Sequence, residues 1–150
     1  MAPLAAERLN GVLQRHDPLS RQAPPLHFST LQGMLKGFMD LVFEHQGRFY
    51  VLDYKSNHLG DSSEAYGPEA LATAMIQHRY DLQYQLYTLA LHRYLASRLP
   101  DYDYDRHFGG ASYLFLRAMG PELPLPRGVY ALRPQRQLIL ALDGCCRGGR

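Results

Sequence analysis

Apolar and aromatic positions in residues 37–56 follow the pattern of a β-hairpin. Two arms filled by apolar and aromatic residues flank Gln46 and Gly47, and a glycine supplies the positive φ that a tight two-residue turn requires. With such a turn the numbers of paired residues have a constant sum, which places Asp40 opposite Asp53. The pattern therefore predicts an antiparallel hairpin that carries two directly opposed carboxylates.

A helical period replaces this pattern in residues 68–99. Leu82, Leu86 and Leu89 recur at intervals of three and four residues, which is typical of a helix with one apolar face. The proline that opens this segment is tolerated in the first turn of a helix. We therefore predict a long helical segment, with a break near residues 80–81.

The other segments predict a mixture of strands and helices. In chain order we expect a short helix at residues 5–15, an extended linker at 17–25, a strand at 26–34, a polar loop at 56–67, a connector at 101–107, an interior strand at 111–117, a Pro-rich loop, an extended segment at 128–132 and a final helix at 135–142. A hairpin followed by helical crossovers favours an α/β fold with a mixed central sheet flanked by helices.

Length and composition add few constraints. A chain of 150 residues is the size of one domain, which we divide into a short helix and linker (1–25), a core (26–143) and a tail (144–150). The net charge of +2 is compatible with a nucleic-acid partner but does not indicate one. The adjacent Cys145 and Cys146 match neither a disulfide framework nor zinc-ligand spacing. With no membrane-length apolar run and no signal peptide, we expect a cytoplasmic protein without a membrane partner.

The opposed aspartates give the strongest indication of chemistry. Like charges directly opposite each other destabilise a sheet, and a cation held between Asp40 and Asp53 would remove that cost. Lys55 projects from the same face as Asp53, because alternate residues of a strand share a face. Mg²⁺ prefers oxygen ligands and usually takes one or two protein carboxylates. Together these residues predict a Mg²⁺-dependent phosphodiesterase site; the alternative is that all three are unrelated surface charges.

A glutamine and a tyrosine on the long helix add a possible second part of this site. Gln83 and Tyr87 are four residues apart, so both side chains can point at one neighbouring surface. There they could contact a phosphate or order a metal-bound water, although a polar stripe facing solvent has the same spacing. The chain contains no P-loop and no Gly-x-Ser-x-Gly motif, so neither that type of ATP site nor a serine hydrolase is supported.

Three motifs together resemble a known family. They are Gly37-x-x-Asp40, the Asp-Tyr-Lys-Ser run at residues 53–56, and Gln83-x-x-x-Tyr87. This combination resembles the RecB-family nucleases of the PD-(D/E)xK, restriction-endonuclease-like superfamily. The resemblance extends well beyond the motifs, and it covers residues 17–142, nearly the whole chain. It implies a restriction-endonuclease-like fold in which the hairpin carries the active site.

The resemblance also implies roles, an activity and partners. The metal ligands would be Asp40, Asp53 and the backbone carbonyl of Tyr54, and the catalytic residues would be Asp53, Lys55, Gln83 and Tyr87. The implied activity is Mg²⁺-dependent DNA hydrolysis of the exodeoxyribonuclease V type, on strands unwound by attached helicase motors during double-strand-break processing and recombination. The implied partners are single-stranded or unwound DNA, RecC- and RecD-type subunits and the recombinase RecA.

One family feature has no counterpart in these 150 residues. The family places a metal-ligand histidine on a helix upstream of the first aspartate, and His16 stands in a different context. We therefore expect the chain to be an N-terminally truncated piece of a larger protein. Two hypotheses remain: a RecB-type nuclease domain, or a catalytically inactive module that serves as a docking domain for RecA or for the complex. A nuclease that acts alone is a weaker third possibility.

Overall fold

A four-stranded mixed sheet organises the chain in the computed structural model, which describes residues 3–25, 39–119 and 127–147. Its strands, in sheet order, are β1 (Leu41–His45), β2 (Arg48–Lys55), β3 (Phe108–Phe115) and β4 (Val129–Leu132). The β1–β2 and β3–β4 pairs are antiparallel, whereas β2 and β3 are parallel. The helices are α1 (Pro3–His16), α2 (Pro68–Gln77), α3 (Tyr80–Arg98), the single turn α4 (Tyr104–His107) and α5 (Arg136–Arg147). The predicted mixed α/β architecture is confirmed.

The hairpin has the predicted turn and the predicted register. Gln46 and Gly47 both adopt positive φ, at 52° and 77°, the combination that a type I′ hairpin turn requires. The last pair of the ladder joins Leu41 to Leu52, so the same register continued by one residue aligns Asp40 with Asp53. Local turn chemistry thus sets the alignment of the two carboxylates.

The predicted break in the helical segment lies between α2 and α3. Arg79 is in the left-handed region, with φ 54° and ψ 36°, so the chain changes direction here. Its side chain donates a hydrogen bond to the carbonyl oxygen of Pro24. The apolar face of α3 is buried in the core, where Leu82, Leu89 and Leu95 lie. Complete burial of a leucine side chain stabilises a fold by about 1.5–3 kcal/mol, so this face holds α3 firmly to the sheet.

The N-terminal region contributes to the core. Leu9 and Leu13 of α1 are buried, and this helix packs against α5. The predicted extended linker after α1 is wrong in part, because Ser20–Gln22 forms a 3₁₀ turn. The Asp17 carboxylate accepts hydrogen bonds from both the backbone N–H and the hydroxyl of Ser20, and such local bonds favour a turn over extended chain.

Further segment boundaries differ from the predictions. The strand predicted at 111–117 begins at Phe108 and ends at Phe115. The connector at 101–107 includes α4, which begins where Asp103 accepts a hydrogen bond from the backbone of Arg106. The helix predicted at 135–142 continues to Arg147. The predicted strand at 26–34, most of the Pro-rich loop and the last three residues of the tail lie outside the described residues.

None of the helices within the described ranges is both long and apolar enough to cross a membrane.

Candidate active site

The end of β2 directs two charged side chains towards α3. Asp53 and Lys55 alternate with Tyr54, so they lie on one face of the sheet and the tyrosine lies on the other. Asp53 is only 3% exposed, whereas Tyr54 is 46% exposed. The site therefore lies at the interface between sheet and helix, and the predicted shared face of Asp53 and Lys55 is confirmed.

Asp40 lies just before β1 and remains accessible to solvent. One of its carboxylate oxygens, Oδ2, accepts a hydrogen bond of 2.8 Å from the backbone N–H of Tyr54. This bond ties Asp40 to the residue that follows Asp53 on the neighbouring strand. The two carboxylates consequently share one end of the hairpin, as the opposed register predicts.

Lys55 connects the sheet to the helix. Its Nζ atom lies 2.6 Å from Oδ2 of Asp53 and 3.1 Å from Oε1 of Gln83. Both carboxylate and lysine are largely shielded from solvent, so their attraction is stronger than that of an exposed pair. The ammonium group is held within reach of a phosphate group placed near Asp53.

Gln83 joins Lys55 to two tyrosines. Its Oε1 accepts hydrogen bonds from Lys55 Nζ and from the Tyr113 hydroxyl, at 3.1 and 3.0 Å, and its Nε2 donates to the Tyr87 hydroxyl at 3.1 Å. The lysine can only donate, so the amide oxygen must face it and the amide nitrogen must face Tyr87. The structure thus brings Gln83 and Tyr87 together with Lys55, as the motif spacing predicts.

Burial and neighbouring charge perturb the acid–base properties of the site. Burial is the main cause that raises the pKa of Asp53, while the Lys55 ammonium opposes this and the Asp40 carboxylate adds to it. Burial also raises the pKa of the Tyr87 hydroxyl, with further contributions from Asp53 and Asp40. The site therefore disfavours additional negative charge unless a cation is present.

The donors at this site fit a small divalent cation. Within the described residues no group of three His, Cys, Asp or Glu side chains could hold a metal, but Mg²⁺ usually takes only one or two protein carboxylates. Oδ2 of Asp53 is buried, and the Lys55 ammonium lies 2.6 Å from it. That single positive charge faces two carboxylates, since Asp40 also raises the pKa of Asp53. A cation between Asp40 and Asp53 would offset the remaining repulsion between the carboxylates.

Two aromatic residues at this site escaped the sequence analysis. Nζ of Lys55 lies 3.9 Å from the ring centroid of Tyr80 and 5.4 Å from that of Tyr113. Tyr80 precedes Gln83 by one helical turn, a spacing that could have indicated it. Tyr113 pairs with Asp53 across the parallel β2–β3 ladder, and no local pattern reveals such a long-range register.

A mixed sheet whose hairpin brings two aspartates and a lysine to one end has the architecture of a nuclease domain. The model of the PD-(D/E)XK nuclease superfamily matches residues 1–141. The chain belongs to this superfamily, which confirms the predicted family and its restriction-endonuclease-like fold.

Individual relatives are subunits of a larger enzyme. The chain is 58% identical to the RecBCD enzyme subunit RecB of Escherichia coli (strain K12), over 94% of this chain and 12% of that protein. It is 50% identical to the subunit of the same name in Haemophilus influenzae, over 92% of this chain and 11% of the relative. It is 41% identical to the RecBCD enzyme subunit RecB of Mycobacterium tuberculosis (strain ATCC 25618 / H37Rv), over 96% of this chain and 14% of that protein. The chain thus spans a small part of each relative's length.

Proposed function

We propose that this chain is the Mg²⁺-dependent DNA nuclease domain of a RecB-type helicase–nuclease. It hydrolyses phosphodiester bonds of unwound strands, as an exodeoxyribonuclease V-type enzyme, during double-strand-break processing and homologous recombination. The observation that carries the proposal is the buried Asp53 carboxylate, opposed to Asp40 and 2.6 Å from Lys55. The relatives are named as subunits of the RecBCD enzyme, which supports RecC- and RecD-type subunits and DNA as partners. We further propose RecA as a partner and the cytoplasm as the location.

The residues at the end of the hairpin would hold the metal. Its ligands would be Asp40, Asp53 and the backbone carbonyl of Tyr54, and the bound ion would supply charge neutralisation and an activated water. Lys55 stabilises negative charge that develops on the phosphate, since its ammonium lies in a site shielded from solvent. Gln83 holds that ammonium through Oε1 and orders Tyr87 through Nε2.

The alternative function is a catalytically inactive module that retains the fold and docks RecA or the rest of the complex. It is favoured by the absence, within the described residues, of a third acidic or histidine ligand near Asp40 and Asp53. Both functions are compatible with the family, so activity of the chain itself distinguishes them.

We predict that the chain cleaves end-labelled single-stranded DNA in the presence of Mg²⁺ and that Lys55→Met lowers the rate by roughly 10²–10³-fold. The affinity for Ca²⁺, measured by isothermal titration, should be retained because the carboxylates remain. Arg48→Met is the matched control, since Arg48 is an exposed cation at the other end of β2. Full cleavage by Lys55→Met would contradict the role of Lys55. A folded wild-type chain that binds DNA or RecA without cleavage would favour the docking module.

A further inference from the structure

We propose that Tyr80 is a positioning residue, which holds the Lys55 ammonium at the site through the face of its aromatic ring. This inference rests on the proposed nuclease function and deepens it. The Nζ–centroid distance of 3.9 Å is well within the range of about 6 Å over which a ring face attracts a cation. Tyr113 lies on the same ammonium at 5.4 Å, so two rings contribute.

The Tyr80 ring is itself fixed in place. Its hydroxyl can accept a hydrogen bond from Asn57 Nδ2, at 3.2 Å, and can donate one to Asn57 Oδ1, at 3.3 Å. The ring also stacks on Tyr113 and on His78, with centroid separations of 5.8 and 5.2 Å. Asn57 lies two residues after Lys55, the last residue of β2. The chain that follows β2 therefore helps to hold the Tyr80 ring beside the lysine.

This contact matters because Lys55 and a metal would share one carboxylate. Oδ2 of Asp53 lies 2.6 Å from Nζ, and the same carboxylate is the buried metal ligand of the proposed site. A divalent ion on Asp53 weakens its attraction for the lysine. The Tyr80 ring and the Gln83 amide oxygen carry no net charge, so they retain the ammonium beside the site when the carboxylate is engaged.

The first test separates substrate binding from turnover. We expect Tyr80→Leu to lower kcat by about five- to thirtyfold, the range that corresponds to one cation–π contact. KM and the Ca²⁺ affinity should stay unchanged, because no proposed ligand is removed. Tyr80→Phe loses the Asn57 contact but keeps the ring and its stacking on Tyr113 and His78, so kcat should stay within about twofold of wild type. Tyr94→Leu is the matched control, an exposed tyrosine on the same helix. Unchanged kcat in folded Tyr80→Leu would overturn the proposal.

The second test does not depend on cleavage. In the wild-type chain, nuclear Overhauser effects should connect the Lys55 Hε protons to the Tyr80 ring protons, and ring currents should shift those Hε resonances upfield. Both features should persist when Ca²⁺ is added and remain in Tyr80→Phe. In Tyr80→Leu the nuclear Overhauser effects to this ring should disappear and the upfield shift should diminish. Their absence from the wild-type spectrum would overturn the inference even if Tyr80→Leu fails to fold. A chain that shows them without cleaving DNA would refute the proposed function while leaving the contact intact.

Discussion

Asp53→Asn is expected to lower the rate of DNA cleavage by at least about 10³-fold. The same substitution should stabilise the metal-free domain near neutral pH. The substitution removes a charged ligand of the proposed metal, which accounts for the expected loss of activity. It also removes a buried negative charge that faces Asp40 across the hairpin. Lys55 loses this carboxylate but keeps the Gln83 amide oxygen and the face of the Tyr80 ring as partners. The two effects have opposite signs because the proposed function requires the same negative charge that destabilises the metal-free domain.

The direction of the stability effect follows from the pKa of Asp53. Burial raises this pKa above its value in the unfolded chain, the Asp40 carboxylate adds to the shift, and Lys55 only partly offsets it. A carboxyl group with a raised folded-state pKa contributes stability below its unfolded pKa and loses that contribution as pH rises through the folded pKa. The metal-free wild type should therefore lose stability as pH rises above the usual carboxyl range, and the uncharged asparagine should not.

Thermal unfolding followed by circular dichroism checks this prediction. At pH 7.5 without metal, Asp53→Asn should unfold at a higher temperature than wild type, and the difference should diminish towards pH 4. Added Ca²⁺ should raise the unfolding temperature of the wild type but not that of Asp53→Asn. Asp101→Asn, at an exposed position, is the matched control and should behave as wild type. An Asp53→Asn chain that is less stable at pH 7.5 would contradict this account of the electrostatics.

Local chemistry explains why so much of the site could be predicted. The turn at Gln46 and Gly47 fixes the hairpin register, and that register alone places Asp40 beside Asp53. Strand alternation then places Lys55 on the face of Asp53. Each of these steps depends on residues close together in the chain, so a single sequence contains the information. The catalytic and metal-binding roles of these residues remain predictions.

Contacts between distant segments account for what the sequence did not reveal. Tyr113 reaches the site because β3 lies parallel to β2 with a particular register, a choice that only the complete core determines. The region after α1 presents the same difficulty. The dipeptides Asp17-Pro18 and Pro24-Pro25 indicate extended chain. The structure instead has a 3₁₀ turn between them, and Asp17 and Ser20 are buried. Their partners on α3 are more than sixty residues away in sequence, beyond the reach of local patterns.

Asp81 belongs to that buried network, and Asp81→Ala is expected to destabilise the fold by about 3–5 kcal/mol. Asp81 is fully buried, and it accepts hydrogen bonds from Arg79 Nε and Nη2 at 3.0 and 3.1 Å. Alanine would leave the Arg79 guanidinium, which is largely shielded from solvent, without its carboxylate. An unpaired buried charge is more costly than the loss of the pair as a whole.

The same substitution should loosen the N-terminal region. The Ser20 hydroxyl lies 2.8 Å from Asp81 Oδ2 and 2.7 Å from Asp17 Oδ2, and its single hydrogen can serve only one of these acceptors at a time. Asp17 has further donors in Tyr84 and Gln85, at 2.9 and 2.6 Å. These bonds connect the end of α1 to the first turns of α3. Loss of Asp81 should therefore increase amide hydrogen exchange on both sides of this contact.

Urea unfolding measures the free energy, and two variants serve as comparisons. Asp105→Ala breaks the ion pair with Arg133, in which the aspartate side chain is 55% exposed, and should cost no more than about 1 kcal/mol. The double variant Arg79→Met/Asp81→Leu replaces both charges with apolar groups and should be less destabilised than Asp81→Ala. Equal losses for Asp81→Ala and Asp105→Ala would contradict the importance of the buried pair. Because Gln83 and Tyr87 follow Asp81 on α3, a cleavage defect that tracks the unfolding midpoint would connect this network to the proposed active site.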